Sequence, residues 1–239
     1  MENNLKQTVG EIVAKDFRTA AVFSKYGIDF CCRGDELLDE VCKKQSVDRT
    51  KLQNELEEAV RNGKEDVDFN ALPLDLLANY IEETYHAYIK KKAPLLLQYL
   101  MKIKEVHGEH HPELLEIFDS FSHSAMDLSM HLQKEERILF PMIRKIAEAE
   151  RDGVPLEDNH CGTIQNPIAA MKAEHGIEGE RFKNVSELSG GYTVPADGCN
   201  TYHTAYEMLK EFEQKLHEHI HLENNILFPK AVEMEKMFC

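Results

Sequence analysis

The sequence predicts an all-α protein: four antiparallel helices in a bundle, preceded by a small helical unit. Three observations carry the helical bundle. Apolar residues recur at intervals of three and four through long segments, the period of an amphipathic helix, and no stretch alternates as a strand does. Good helix formers, Glu, Lys, Leu and Ala, dominate the composition. Residues 73–239 fall into four long periodic segments separated by Gly- and Pro-bearing connectors, the layout of an antiparallel bundle.

Element by element, Thr8 and Glu11 form a capping box that opens a helix through GEIVAKD. A second helix covers FRTAAVFSKYG and stops at Gly27 as its C-terminal cap. The loop IDFCCRG follows, then two short helices in DELLDEVCKK and DRTKLQNELEEAV. The polar stretch RNGKEDVDFN reads as a linker, which divides the chain into residues 1–65, a unit with adjacent cysteines, and residues 66–239, the bundle. The bundle helices run from residue 73 to about 106, from Pro112 at a first helical position to about 151, from about 166 to 188 and from about 201 to 237. Pro141 and Pro229 are expected to kink or end their helices, because each lacks an amide donor.

Composition bounds the function. The chain has 239 residues and a formal net charge of −15, which argues against nucleic acid or an anionic membrane surface as partner. No apolar run approaches the ~20 residues of a membrane span, and the N-terminus lacks a basic segment followed by a long apolar core. The six cysteines, Cys31, Cys32, Cys42, Cys161, Cys199 and Cys239, include no CxxC pair and are read as reduced thiols of a cytoplasmic protein.

The chain writes nearly the same eleven residues twice: HLQKEERILFP from His131 and HIHLENNILFP from His219, 88 positions later. His86 in ETYHAYIKK and His175 in MKAEHGIEGE stand 89 apart, so each half-repeat is a helix with one His followed by a helix with His-x-x-x-Glu. Residues i and i+4 share a helix face, so His131 with Glu135, and His219 with Glu223, point together into the bundle. Glu136 aligns with Asn224, which supplies no carboxylate, so Glu135 and Glu223 are the matched acids. Ile138, Leu139 and Phe140, aligned with Ile226, Leu227 and Phe228, are expected to wall the site from water.

Four His and two Glu converge, giving two metals two His each with both carboxylates bridging. An oxo, hydroxo or water bridge completes such a pair and leaves room for a small ligand. Structural zinc needs only one closed tetrahedral set. Six mixed nitrogen and oxygen donors suit a non-haem di-iron site, with manganese as the alternative. The spacing differs from the Glu-x-x-His of ferritin-like carboxylate sites. The other eight histidines (His107, His110, His111, His123, His160, His203, His217 and His221) are read as surface or hydrogen-bonded residues.

At these residues the chain resembles the hemerythrin-like di-iron proteins. TVGEIVAKDFRTAAVFSKYGIDFCCRG, with its adjacent cysteines, narrows the resemblance to the iron–sulfur cluster repair di-iron proteins, the YtfE/ScdA family. The resemblance implies a cytoplasmic protein that restores iron–sulfur clusters damaged by nitric oxide or peroxide, and it leaves a homodimer open. It implies His86, His131, His175 and His219 as terminal iron ligands and Glu135 and Glu223 as bridges. Cys31 and Cys32 match the family's cysteine pair. Beside Arg33, whose charge favours thiolate, they are assigned a redox role. Asp127, one turn before His131, is expected to hydrogen-bond a ligand imidazole. Glu174 is expected to line an access path or face solvent.

Three functions compete. The leading one is repair of iron–sulfur proteins by supplying iron. The second is nitric oxide binding or reduction at the iron pair. The third is carriage or sensing of dioxygen, which the His-rich site suits but which gives the cysteine unit no task.

Overall fold

The structure, a computed structural model, describes residues 7–62, 68–155 and 163–238. Four short helices come first: α1 (Val9–Lys15), α2 (Ala20–Lys25), α3 (Leu38–Gln45) and α4 (Arg49–Asn62). Thr8 and Glu11 make the expected reciprocal cap on α1. The second helix starts later than its sequence suggests. Asp16 accepts from the Arg18 amide and holds Phe17–Thr19 in a 3-10 turn before α2. Gly27 sits at φ +66°, the left-handed conformation that a helix stop favours in glycine.

Four long helices form the antiparallel bundle: α5 (Leu74–Ile81 into Ala87–His107), α6 (Glu113–Lys134 into Phe140–Asp152), α7 (Gln165–Leu188) and α8 (Asn200–Leu222 into Phe228–Phe238). Three of them are interrupted by a single π turn, Glu82–His86, Glu135–Leu139 and Glu223–Leu227. Of the two outcomes expected for Pro141 and Pro229, a kink or an end, the structure rules out the second. Neither ends its helix. Each lies just past a widened π turn, which absorbs the missing amide donor and lets the helix continue. Among the described residues no helix is long and apolar enough to cross a membrane.

The apolar core comes in two clusters, and their order along each helix reveals the antiparallel layout. One cluster holds Leu77, Ile81, Ile143, Met171, Ile226 and Phe228; the other holds Ile89, Leu96, Leu128, Phe182, Leu216 and Ile220. Helices α5 and α7 pass from the first cluster to the second, and α6 and α8 pass back. At the crossing in all four helices the chain places a polar side chain: His86, His131 with Glu135, His175, and His219 with Glu223. All six are buried. Such a layer is costly unless its charges are matched within it.

The short helices pack onto the bundle, and their buried side chains, among them Val9, Phe23 and Leu52, belong to the second cluster. Asn225 of α8 makes the join. Its side-chain amide donates to the Phe30 carbonyl (3.1 Å), and its Oδ1 lies 2.7 Å from where a Cβ would stand on either Gly10 or Gly34. Any side chain at those two glycines would collide with it.

Candidate metal centre

The six buried polar residues resolve into two groups of four donors: His86, Glu135, His219 and Glu223 in one, and His131, Glu135, His175 and Glu223 in the other. In each group the ligand atoms lie within 4.8 Å of one another. The carboxylates are shared in a regular way. Glu135 turns Oε1 to His131 Nε2 (3.2 Å) and Oε2 to His86 Nε2 (3.4 Å). Glu223 turns Oε1 to His219 Nε2 (3.0 Å) and Oε2 to His175 Nε2 (3.2 Å). One oxygen of each acid thus serves each group.

The imidazoles also face one another. His86 Nε2 lies 3.2 Å from His219 Nε2, and His175 Nε2 lies 3.0 Å from His131 Nε2. Two rings are held from behind by ionised acids: His86 Nδ1 donates to Glu136 (2.8 Å) and His131 Nδ1 to Glu174 (2.8 Å). With the proton on Nδ1, a neutral ring turns a lone pair inward. None of the four oxygens of Glu135 and Glu223 has a hydrogen-bond partner among the described residues. Lone pairs and bare carboxylates converging in a buried layer need a cation between them. With metal–nitrogen bonds of about 2.0–2.1 Å, adjacent ligands lie roughly 2.9 Å apart in an octahedron and roughly 3.4 Å in a tetrahedron. The two His–His separations fall between these values.

The ionisation pattern agrees. Burial pushes the His131 imidazole down, but the carboxylates of Glu135, Glu223 and Glu174 outweigh it and lift it to about 9. Burial likewise opposes the charge on His86, and Glu223, Glu135 and Glu136 raise it overall. Burial works against the Glu223 carboxylate, yet the surrounding His219, His175 and His86 hold it well below the usual range. The layer draws in positive charge, and a bound cation would supply that charge.

Local structure explains the aim of each side chain. His86, Glu135 and Glu223 each stand at an end of a π turn, a widened course often found at functional sites. Phe140 stacks on His86 (5.4 Å between centroids), and Phe228 stacks on His175 (6.1 Å). Leu139, Ile226 and Leu227 are buried as expected, whereas Ile138 points outward, 56 % exposed, so it does not wall the site. A cavity of about 210 Å³ is lined by His131, His175 and His219 and also by the exposed Met130 and Ile177.

The residues behind the rings are only partly those the sequence suggested. Asp127 pairs with Arg181 (2.8 Å), and the task expected of it falls to Glu174. Glu174 is braced by Lys134, as Glu136 is by Lys90 (2.6 Å). His175 Nδ1 meets Asn224 Oδ1 at 2.9 Å, and Asn224 Nδ2 donates to the Cys31 backbone carbonyl at 3.2 Å. Glu136 and Asn224 were missed because helical spacing relates them to Glu135 and Glu223, not to the rings of other helices. Glu178, buried and accepting from Ser124 (2.6 Å), lies three residues past His175 on the cavity wall, a spacing that could have marked it.

Cys31 and Cys32 lie beside this layer, with Cys32 Sγ donating to the His175 carbonyl (3.3 Å). Arg33 has a partner of its own. Its guanidinium pairs with Glu180 (2.7 Å), and the Cys31 thiol is pushed well up, first by its contact with Cys32 and then by burial. Cys199 differs. It sits exposed at the start of α8, 3.2 Å from His107 Nε2, whose hydrogen bond lowers its thiol to about 7. His160, Cys161 and Cys239 lie outside the described residues.

Two family models match. A hemerythrin HHE cation binding domain covers residues 77–231, and a domain of unknown function, DUF542, found at the ScdA N-terminus, covers residues 5–60. An iron-sulfur cluster repair protein ScdA from Staphylococcus haemolyticus is 31 % identical over 222 residues, 93 % of this chain and 96 % of its own. The chain belongs to the ScdA/YtfE family of iron-sulfur cluster repair proteins. A YtfE protein from Musicola paradisiaca is 32 % identical over 96 % of this chain and 98 % of its own, and one from Yersinia pestis is 31 % identical with the same coverage. The HHE match spans every member of the buried layer, so the family's cation-binding module and the converging donors coincide.

Proposed function

We propose that the chain holds two iron ions, one in each four-donor group, and supplies iron to damaged iron–sulfur proteins in the cytoplasm. The observation that carries this reading is the shared pair of carboxylates, each with one bare oxygen turned to each group. His86, His131, His175 and His219 are the terminal ligands, and Glu135 and Glu223 are the bridges. Mixed imidazole and carboxylate donors favour iron over a closed structural zinc set. Iron bound there supplies the replacement metal that a broken cluster lacks. Because each carboxylate serves both groups, moving one acid loosens both positions. Glu136 and Glu174 fix two rings from the half-exposed side, and the cavity beside His131 gives the layer a path to solvent. The relatives named for cluster repair support the same role. We read residues 1–65 as a separate unit that brings the cysteines to the rim of the bundle at residues 66–239.

The test is anaerobic. Iron-loaded protein is mixed with an iron–sulfur enzyme stripped of part of its cluster, with no iron added. Recovery of that enzyme together with loss of iron from this chain is expected; no transfer overturns the reading. The cavity favours a second reading, a small ligand such as nitric oxide or dioxygen reaching the same centre. Steady formation of nitrous oxide under turnover, with the iron retained, would select it.

A further inference from the structure

Outside the buried layer, one more set of ligand atoms converges. Asp29, Cys31 and Cys32 each bring a donor within 4.8 Å of the others. The loop is built to hold them there. Asp29 Oδ1 accepts the backbone N–H groups of Cys31 (3.0 Å) and Cys32 (2.8 Å), which folds both thiols to one side. The two sulfurs stand 3.7 Å apart. A disulfide needs about 2.05 Å. Two thiolates on one tetrahedral ion, with metal–sulfur bonds of about 2.3 Å, stand about 3.8 Å apart. Cys31 Sγ lies 3.3 Å from Asp29 Oδ1, close to the roughly 3.5 Å edge that a sulfur and an oxygen ligand define on the same ion.

The position of this loop gives it a use. Cys32 Sγ touches the His175 carbonyl, and the Cys31 carbonyl is tied through Asn224 to the ring of the same histidine. Gly179 of α7 leaves the space that Cys32 occupies; a Cβ there would lie 2.9 Å from its sulfur. Cys31 is buried, and Cys32 and Asp29 are half-buried. The three donors therefore sit against the buried layer, with two of the three residues reaching solvent.

We propose that Asp29, Cys31 and Cys32 form an additional metal site, open on one side, that holds a single ferrous ion passing between the buried pair and a client protein. The ion forms two bonds to sulfur and one to oxygen, two thiol protons go to solvent, and no oxidation state changes. Three donors leave a coordination position for a client's own ligand, which a closed four-donor site would deny. Occupancy is felt at His175, because a metal-bound Cys32 can no longer donate to the His175 carbonyl. The passage rests on the iron-supply reading; the site itself does not.

The experiment uses the full chain, loaded anaerobically with iron and then titrated with cadmium(II). Only thiolates give a sulfur-to-cadmium charge-transfer band, so the buried imidazoles and carboxylates are silent. One equivalent is expected. Cys31→Ser and Cys32→Ser should abolish the band, and Asp29→Asn should weaken binding about tenfold or more. Gly179→Ala keeps all three donors but displaces Cys32 and should weaken binding as well. Cys42→Ser should change nothing, and every titration is run in a Cys199→Ser background, because that exposed thiol beside His107 would give a band of its own. A band that is absent, or that survives both serine variants, overturns the site. Passage is read from iron delivery to a chromogenic chelator. The double variant Cys31→Ser/Cys32→Ser should slow it at least about fivefold while the bound iron content stays constant, and an unchanged rate overturns the proposal. If cadmium binds as expected and an apo-cluster enzyme still receives no iron, it is the iron-supply reading that fails.

Discussion

In the first copy of the repeated segment, Glu136 and Arg137 turn outward: Glu136 spans His86 and Lys90, and Arg137 is exposed. In the second copy, Asn224 and Asn225 stand at the same positions and turn toward the cysteine unit, bonding the carbonyls of Cys31 and Phe30. The inner faces of the two copies match, with His131–Glu135 at 3.2 Å and His219–Glu223 at 3.0 Å. The difference teaches which constraint acts where. Converging lone pairs leave no latitude in the inner residues. The next layer need only hold a ring, and an ionised acid facing water or a neutral amide facing protein can both do so. A carboxylate at position 224 would stand against the Cys31 carbonyl, so docking the small unit favoured the amide.

If the inner residues are equivalent, damage to either copy should look the same, and this is the largest expected effect. Glu135→Ala and Glu223→Ala should each release metal from both positions, since each acid serves both groups. At metal concentrations a thousand times the dissociation constant, binding stabilises the fold by about 4 kcal/mol. For a chain of this length that is a melting-temperature loss of about 8–16 °C. Metal analysis beside thermal melting checks it; a variant that keeps half its metal would break the symmetry.

The outer difference predicts unequal effects. Gly34→Ala drives a Cβ to within 2.7 Å of Asn225 Oδ1 and 2.8 Å of the Phe30 carbonyl. It should cost about 1–3 kcal/mol in urea denaturation, the range for overpacking a tight contact. Arg137→Ala, at the position matching Asn225, should stay within about 0.5 kcal/mol. Comparable losses would mean that docking does not depend on the second copy.

The inner layer was legible in the sequence for the same reason that it is symmetrical. A fixed i,i+4 spacing, repeated 88 residues on, projects directly onto helix faces. Helix periods and Gly or Pro connectors located the four bundle helices. Contacts between helices have no fixed spacing to read: Glu174, expected on an access path or facing solvent, lines the cavity and also holds His131, the task expected of Asp127. The π turns were illegible too. Pro141 and Pro229 signalled a break in hydrogen bonding, but local sequence does not say whether a helix answers by stopping or by widening. Arg33 beside Cys32 suggested an activated thiol, and only the fold revealed that Glu180 takes its charge.

The two ring supports give a finer comparison. Glu136→Gln retains a hydrogen-bond acceptor behind His86 but removes its charge and its pairing with Lys90. Asn224→Ala removes the neutral support behind His175 and its link to Cys31. Each should speed metal removal by a chelator about tenfold, the low end for loss of a group that orients a ligand. Only Asn224→Ala should also loosen the small unit, seen as faster hydrogen exchange in the Phe30–Cys32 loop. If Glu136→Gln loosens that loop as well, the division between a water-facing and a protein-facing copy fails.

The smallest effect concerns the one ring without polar support. Glu174 precedes His175 and holds His131, and the matching residue before His86 is Tyr85, which stacks on His219 (5.9 Å between centroids, 14° between planes). His219 Nδ1 has no hydrogen-bond partner among the described residues. The orientation of His219 therefore depends on the face of the Tyr85 ring, not on its hydroxyl. That hydroxyl contacts Glu218 at 3.4 Å, and burial pushes its pKa upward, so it stays protonated as the donor. Tyr85→Phe keeps the stacked face and removes only this long contact. It should cost about 0.5–1 kcal/mol in the urea midpoint, the net worth of one ordinary hydrogen bond, and leave the metal content unchanged. A variant that folds normally but loses metal would mean that the hydroxyl, like Glu174 across the bundle, is needed to hold its histidine.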